Sequence, residues 1–417
     1  MLDIFEDSPE YKLRKAAPFK PPTVTLAELR AGIPKHLYQK STLKGFYYFL
    51  RDVTCLVVMN RFGCLIDPVV KSALHAGHNI ALVNTLKYAA WCFYLHWQGV
   101  IFAGLWCLGH EAGHGTLSDC SIINNTLGFI LHTFLLTPYY AWRSTHHAHH
   151  RATMSVERDE NYVPRTRIDY QLPAEGTSTI WDYHEVFEDT PIYTLLRMLL
   201  MQAIGMQFYF LTNAMGSPMY PPGTNHFNPS SPLFKPHERN GIIASNVGLS
   251  VMASLLYVCT SKLGVMSFIL HYFIPYILAN HWIVMLTYLH HSDPTIPHYR
   301  AKQWTYLRGA LATVDRPFLG WAGRFFLHNV SHDHISHHLN SSIPFYNQPQ
   351  ATEHIKMILG GDYNYDSTNT FRALYRTFTE CCFIEDEGDI VFYKNKDGKA
   401  SRHLAHDALE NVPRLAF

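Results

Sequence analysis

Stretches apolar enough to span a bilayer, about 20 residues with few charges, recur along the chain and set its framework. Residues 88–109 contain no Asp, Glu, Lys or Arg, and neither do 241–261 nor the 30-residue run 263–292, which Pro275 alone interrupts. The last two are separated by Lys262 and read as a tight transmembrane hairpin. A weaker span, 53–70, includes Arg61 and Asp67; a central Arg costs about 2.5–3.5 kcal/mol on insertion. It is kept because it pairs with 88–109 across a short loop. Two further apolar stretches are ambiguous: 121–142 holds Asn124, Asn125, His132 and Pro138, and 190–213 carries Arg197 at helical depth. Residues 216–236 are a Pro/Asn/Ser-rich loop.

Charge orients this framework. Residues 1–51 hold nine Lys/Arg, whereas the short loops hold only Lys71, Lys87 and Lys262. By the positive-inside rule the N-terminal arm is cytosolic and the short loops are lumenal. The arm has no pattern of a cleavable signal. The expected organisation is therefore a cytosolic arm at 1–45, a membrane domain at 46–350 with crossings at about 53–72, 88–109, 241–261 and 263–291, and a cytosolic tail at 351–417. The terminal Arg414-Leu-Ala-Phe417 leaves two readings open, an aromatic retrieval signal or a plain chain end.

Composition narrows the function. Lys plus Arg number 34 against 33 acidic residues, a balance that excludes a nucleic-acid binder relying on a basic surplus. The eight cysteines form no CxxC pair and sit mostly in apolar stretches, so they read as free thiols in a reducing setting. Histidine is the anomaly, with 27 in 417 residues.

Those histidines cluster. His110-Glu-Ala-Gly-His114 is followed by His146-His-Ala-His-His150 and by His334-Ile-Ser-His-His338. The second and third share the spacing HxxHH, and residues at i, i+3 and i+4 lie on one helix face. Imidazoles so placed converge on one or two metal ions. The bland alternative, solvated histidines at membrane borders, suits a lone histidine but not three clusters, two of them alike. Several protonated imidazoles side by side would also repel, and a metal holds them neutral. HEAGH fits the HExxH zinc-protease signature too, with Glu111 as general base. A zinc hydrolase needs three protein ligands, which leaves most of the cluster unexplained. Eight histidines suit two ions with four or five nitrogens each, and nitrogen-rich ligation with open positions points to redox iron and dioxygen.

A parity constraint fixes the topology. If all three clusters meet on one membrane face, 121–142 cannot cross once and must be interfacial or re-entrant. Between the second and third clusters only an even number of crossings is allowed; the hairpin supplies two, so 190–213 lies on the surface. The expected fold is an all-α polytopic membrane protein with four transmembrane helices as two hairpins, interfacial helices and a cytosolic histidine-rich di-iron cap.

Beyond the boxes, the segments SVERDENYVPRTR (155–167), TNHFNPSSPLF (224–234), TYLHHSDPTIPHY (287–299), RGALATVD (308–315) and HISHHLNSSIPFYN (334–347) give the chain its resemblance. Over roughly 25–355 it resembles the membrane-bound fatty acid desaturases, specifically the plant and fungal oleate Δ12 desaturase branch. The resemblance implies a multi-pass enzyme of the endoplasmic reticulum membrane with its active site facing the cytosol. It implies two non-haem Fe ions, O2 as co-substrate, no bound flavin or haem, and a fatty acyl lipid or acyl-CoA substrate. Electrons would come from cytochrome b5 and NADH-cytochrome b5 reductase; no HPGG haem motif occurs, so the donor would be separate. A homodimer stays open.

The metal ligands implied are His110, His114, His146, His149, His150, His334, His337 and His338, with His291 matching a ninth histidine that relatives place at the end of the last transmembrane helix. His290 ranks behind it, and His147 points off the ligand face. His132, His298, His328 and His332 are structural or supporting, while Glu111 and Asp159 are candidates for orienting imidazole N–H groups. A methylene has no acidic proton, so hydrogen-atom abstraction is the chemistry expected, in a narrow apolar tunnel. Two departures touch the product. Gly109 and Ala112 stand where typical members read AHECGH, and the third box reads HISHH rather than HVAHH. The alternatives are a divergent enzyme acting on linoleoyl chains (acetylenase, conjugase or ω3 desaturase), an intramembrane zinc protease, and a non-catalytic metal-binding membrane receptor.

Overall fold

In the computed structural model, which describes residues 3–408, helices carry the chain; among these residues regular sheet is confined to β1 (His298–Tyr299) paired antiparallel with β2 (Ile390–Val391). The terminal Arg414–Phe417 motif lies outside the described residues. Two short helices open the chain. In α1 (Pro9–Ala16) the Ser8 hydroxyl accepts the Tyr11 N–H, and α2 (Leu26–Gly32) starts from a Thr25/Glu28 capping box.

Two long helices follow, α3 (Thr42–His75) and α4 (Ile80–Gly113). Gly77, at φ 81°, supplies the left-handed turn between them, and Lys87 pairs with Asp67 at 2.9 Å across it. The apolar periodicity of α4 is lost in its second half because every residue from Gln98 to Gly113 is buried, enclosed by neighbours on all sides. Then come α5 (Ser121–Phe134), α6 (Tyr139–Ala152), α7 (Ile180–Phe187) and α8 (Pro191–Thr212).

The second hairpin is α9 (Arg239–Leu263), then α10 (Val265–Phe268), a π-helical turn at Ile269–Phe273 and α11 (Ile274–His291), turning at Gly264 with φ 87°. The π turn has a local cause: Pro275 has no N–H to give and its ring crowds the carbonyl one turn back, so the helix widens rather than breaks. The remaining helices are α12 (Tyr306–Leu311), α13 (Gly320–Phe326), α14 (His334–Leu339), α15 (Gln348–Leu359) and α16 (Thr370–Glu380).

Among the described residues four helices are long and apolar enough to cross a membrane by length and composition, Thr42–His75, Pro191–Thr212, Pro236–Leu263 and Val265–His291, and α4, expected to cross at 88–109, is not one of them. Residues 190–213 thus match a span by composition, with Leu195, Leu199, Ile204 and Phe208 exposed. Yet both ends of α8 are tied to other parts of the chain, the C-terminal end to the segment beside the histidines. Arg197 pairs with Asp189 and lies over the Phe378 ring of α16, while the Tyr209 hydroxyl donates to Asn161 at 2.8 Å.

The N-terminal arm and the C-terminal tail form one layer rather than two. Ser8 donates to Asp366 at 2.9 Å, and Phe19 exchanges backbone bonds with His403 and Ala405. Beneath them Arg316 reaches Asp366 at 2.6 Å and Asp293 at 2.8 Å, and Arg376 reaches Asp366 at 2.6 Å. Arg14 of α1 approaches Asp293 at 3.7 Å. Arg316 also donates to the Leu289 carbonyl at 3.0 Å, so this layer grips the end of α11.

Candidate metal centre

Four helix ends deliver the histidines. α4 finishes with His110 and His114, α6 carries the second box, α11 ends at His291, and α14 is the third box itself. The side chains sort into two groups. His110, His114, His146, His150 and His337 bring ring nitrogens within 4.8 Å of one another, and His149, His291 and His338 do the same. His334 joins the second group, its Nε2 lying 2.9 Å from His291 Nε2. All nine sequence candidates are therefore in one place, divided five and four.

The donor set fits metal ions. His114 Nε2 and His150 Nε2 lie 3.0 and 3.1 Å from His146 Nε2, while the Nε2 atoms of His337 and His338 are buried with no partner. An unsatisfied buried nitrogen costs about 1–3 kcal/mol; a cation between the rings removes that cost. Burial, reinforced by neighbouring imidazoles, holds His146, His150, His334 and His338 well below the ordinary histidine range and pushes His337 down to about 3. These rings stay neutral at physiological pH, the form that binds a metal.

On His110, His149, His334 and His338 the outward nitrogen is fixed by the surroundings, which sets ring orientation. His149 Nδ1 lies 2.6 Å from Asp159, whose other oxygen accepts the Met154 N–H at 2.8 Å. His110 Nδ1 lies 3.1 Å from Glu111, His337 Nδ1 lies 3.9 Å from the same oxygen, and Thr116 donates to Glu111 at 2.8 Å. His334 Nδ1 meets the Val330 carbonyl and His338 Nδ1 the Thr153 hydroxyl, each at 3.1 Å. Thr116, Thr153 and Val330 were not legible beforehand. No spacing rule marks a hydroxyl or a carbonyl that supports a ring brought in from another helix.

The other histidines are placed elsewhere. His290 spends both nitrogens on the Val314 carbonyl and Ser331. His147 bonds the Gly113 carbonyl at 3.1 Å, His132 the Trp106 carbonyl at 3.1 Å and His328 Asp52 at 2.7 Å. His298 is buried edge-on to Tyr393, and His332 is buried beside Gly323.

An apolar cavity of about 400 Å³ abuts the centre, lined in part by Trp106, Trp142, Tyr162, Phe208 and Val284. It is one ring's thickness from the ligands. Trp142 stacks on His146 with centroids 4.6 Å apart, and Tyr162 on His291 at 5.1 Å. Tyr162 and the two tryptophans carried no prior signal, since aromatic residues pack any membrane core.

The geometry agrees with what the chain resembles. The family model "Fatty acid desaturase" matches residues 88–368. An oleate hydroxylase of Claviceps purpurea is 35% identical over 93% of this chain and 84% of its own length. A Δ12 fatty acid desaturase of Mortierella isabellina is 37% identical over 89% of this chain and 91% of its own. An ω6 fatty acid desaturase (endoplasmic reticulum) of Brassica juncea is 33% identical over 92% and 94%. A match spanning all three histidine boxes, with relatives aligned along most of their length, settles the assignment: the chain belongs to the fatty acid desaturase family.

Proposed function

We propose that this protein is a membrane di-iron, O2-dependent fatty acyl desaturase that places a cis double bond at Δ12 of oleoyl chains to give linoleoyl chains. The observation that carries the reading is the set of nine clustered imidazoles, all buried but the half-buried His114 and His146, five and four around two points, beside an apolar cavity. A pair of irons bound here would activate O2, which is reduced to water as hydrogen is taken from an unactivated methylene. His110, His114, His146, His150 and His337 would hold one ion, and His149, His291, His334 and His338 the other. Glu111 and Asp159 keep Nε2 atoms aimed inward. The cavity supplies dry, shape-limited space of a size within the roughly 300–1,000 Å³ usual for ligand sites, which fixes which carbons approach the centre.

In this reading α3 with α4, and α9 with α11, are the two membrane hairpins, and α8 lies in the interface with its ends tied to the cytosolic layer. Electrons arrive from cytochrome b5 and its NADH-dependent reductase, at the endoplasmic reticulum. Trypsin cleavage of the 216–236 loop from the lumenal side alone would contradict this layout.

Production in yeast, which makes oleate but no linoleate, tests the chemistry through the fatty-acid profile. Linoleate from endogenous oleate supports the proposal, and products appearing only with fed linoleate support a divergent desaturase. The hydroxylase relative favours one second reading, hydroxylation of the same chain, which a hydroxylated C18 product would reveal. His146→Ala and His334→Ala abolish product if the irons act; intact activity in both would point back to zinc chemistry at HExxH.

A further inference from the structure

The apolar cavity is not isolated. A second cavity of about 590 Å³ adjoins it, and the two share three lining residues, Ala214, Met215 and Tyr288. Their chemistry differs. The inner one is walled by aromatic and aliphatic side chains, while the outer one is bordered by Arg165, Thr166 and Asp169. Arg165 and Asp169 are exposed, and Asp169 accepts the Thr166 N–H at 2.8 Å.

The shared wall has one fixed side and one movable side. Tyr288 is buried in the last turn of α11, three residues before His291. Met215 sits just past α8 at φ 62°, its backbone pinned through a 2.9 Å bond from the Val163 N–H, with 43% of its surface exposed. An unbranched thioether on a fixed backbone swings aside readily.

We propose that the two cavities are one amphiphile site. The outer cavity receives the phosphate-bearing head of an acyl ester beside Arg165. The inner cavity receives the hydrocarbon, and the chain passes the wall where Met215 moves against Tyr288. This rests on the acyl-chain reading above and adds where the carrier binds. Two carriers share the required chemistry, a phospholipid head and a coenzyme A thioester.

The test uses the iron-loaded full-length enzyme in detergent or nanodiscs, supplied with O2, NADH, cytochrome b5 and its reductase, and three acyl donors: oleoyl phosphatidylcholine, oleoyl-CoA and oleoyl methyl ester, which has no phosphate. Arg165→Ala should raise KM for a phosphate-bearing donor at least five-fold more than KM for the methyl ester. The donor that responds identifies the carrier. Met215→Trp should cut turnover of phosphate-bearing donors at least ten-fold, while Met215→Leu retains most of it. Equal KM changes for all three donors with Arg165→Ala, or wild-type turnover with Met215→Trp, would overturn the two-cavity site alone. A wild-type enzyme converting none of the three donors overturns the acyl-chain reading and this site with it.

Discussion

A Cβ built on Gly109 would lie 2.3 Å from Cδ2 of His132. The imidazole is wedged. It stacks on Trp106 at 5.2 Å, meets Trp142 edge-on at 4.6 Å, and bonds the Trp106 carbonyl at 3.1 Å. The glycine ahead of the first box is therefore the space a buried histidine occupies. Gly109→Ala should destabilise the protein by about 1–3 kcal/mol, the usual range for overpacking. In a double-mutant cycle with His132→Ala much of that loss should vanish, because the colliding ring is gone. Thermal unfolding of the four proteins checks this; additive losses would mean that the cost of the added methyl does not come from the His132 ring.

Adjacent histidines at the end of α11 should behave differently. His291 Nε2 faces His334 Nε2 in the second group, whereas His290 is turned toward Val314 and Ser331. His291→Ala should remove about one iron per chain and reduce product to background. His290→Ala leaves a carbonyl and a hydroxyl unpaired and should cost about 1–3 kcal/mol of stability while iron content holds. Elemental analysis beside a lipid profile separates the two, and equal iron loss would show that His290 is a ligand.

What could be read in advance follows from the range of the interactions. The three boxes are local patterns, so HxxHH spacing alone placed His146, His149 and His150 on one face. Their division was not legible. His146 and His150, four apart, turn to one group while His149 turns to the other, and only the positions of α4, α11 and α14 decide that. The link of Arg14 to Asp293 spans most of the chain, and charge counts along the sequence carry no pairing. The cavity was hidden for another reason: Phe208 or Val284 facing a tunnel looks the same in sequence as one facing lipid. The membrane reading of α8 shows the same ambiguity, since exposed leucines suit a span and an interfacial helix alike.

Asp159 supports the centre without belonging to either group. It holds His149 Nδ1 at 2.6 Å and accepts the Asn161 N–H at 2.9 Å. Asp159→Asn keeps the shape but removes the charge that favours Nδ1–H and makes the ring a better ligand. Loss of such a partner typically costs 10–100-fold in metal affinity or activity. Iron titration of the variant should show the weakening for about half of the bound iron, the share assigned to the group of His149. Uniform weakening of both ions, or none, would count against this role.

Acid should unlock the layer that grips α11. Burial alone would raise the Asp366 carboxyl, but the guanidinium groups of Arg316 and Arg376 outweigh it and hold the carboxyl far below the ordinary range. A group depressed in the folded state adds stability that is fully present above its unfolded value, about 3.9. That stability is lost as pH falls through the folded value. Wild-type stability should therefore decline below about pH 4. Asp366→Asn leaves Arg316 and Arg376 with less compensation in a buried site and should cost about 3–5 kcal/mol at neutral pH. Because the variant has no proton to gain there, its thermal stability should fall less steeply than that of the wild type between about pH 4 and pH 2. Parallel curves for the two proteins would show that the network contributes nothing through this carboxylate.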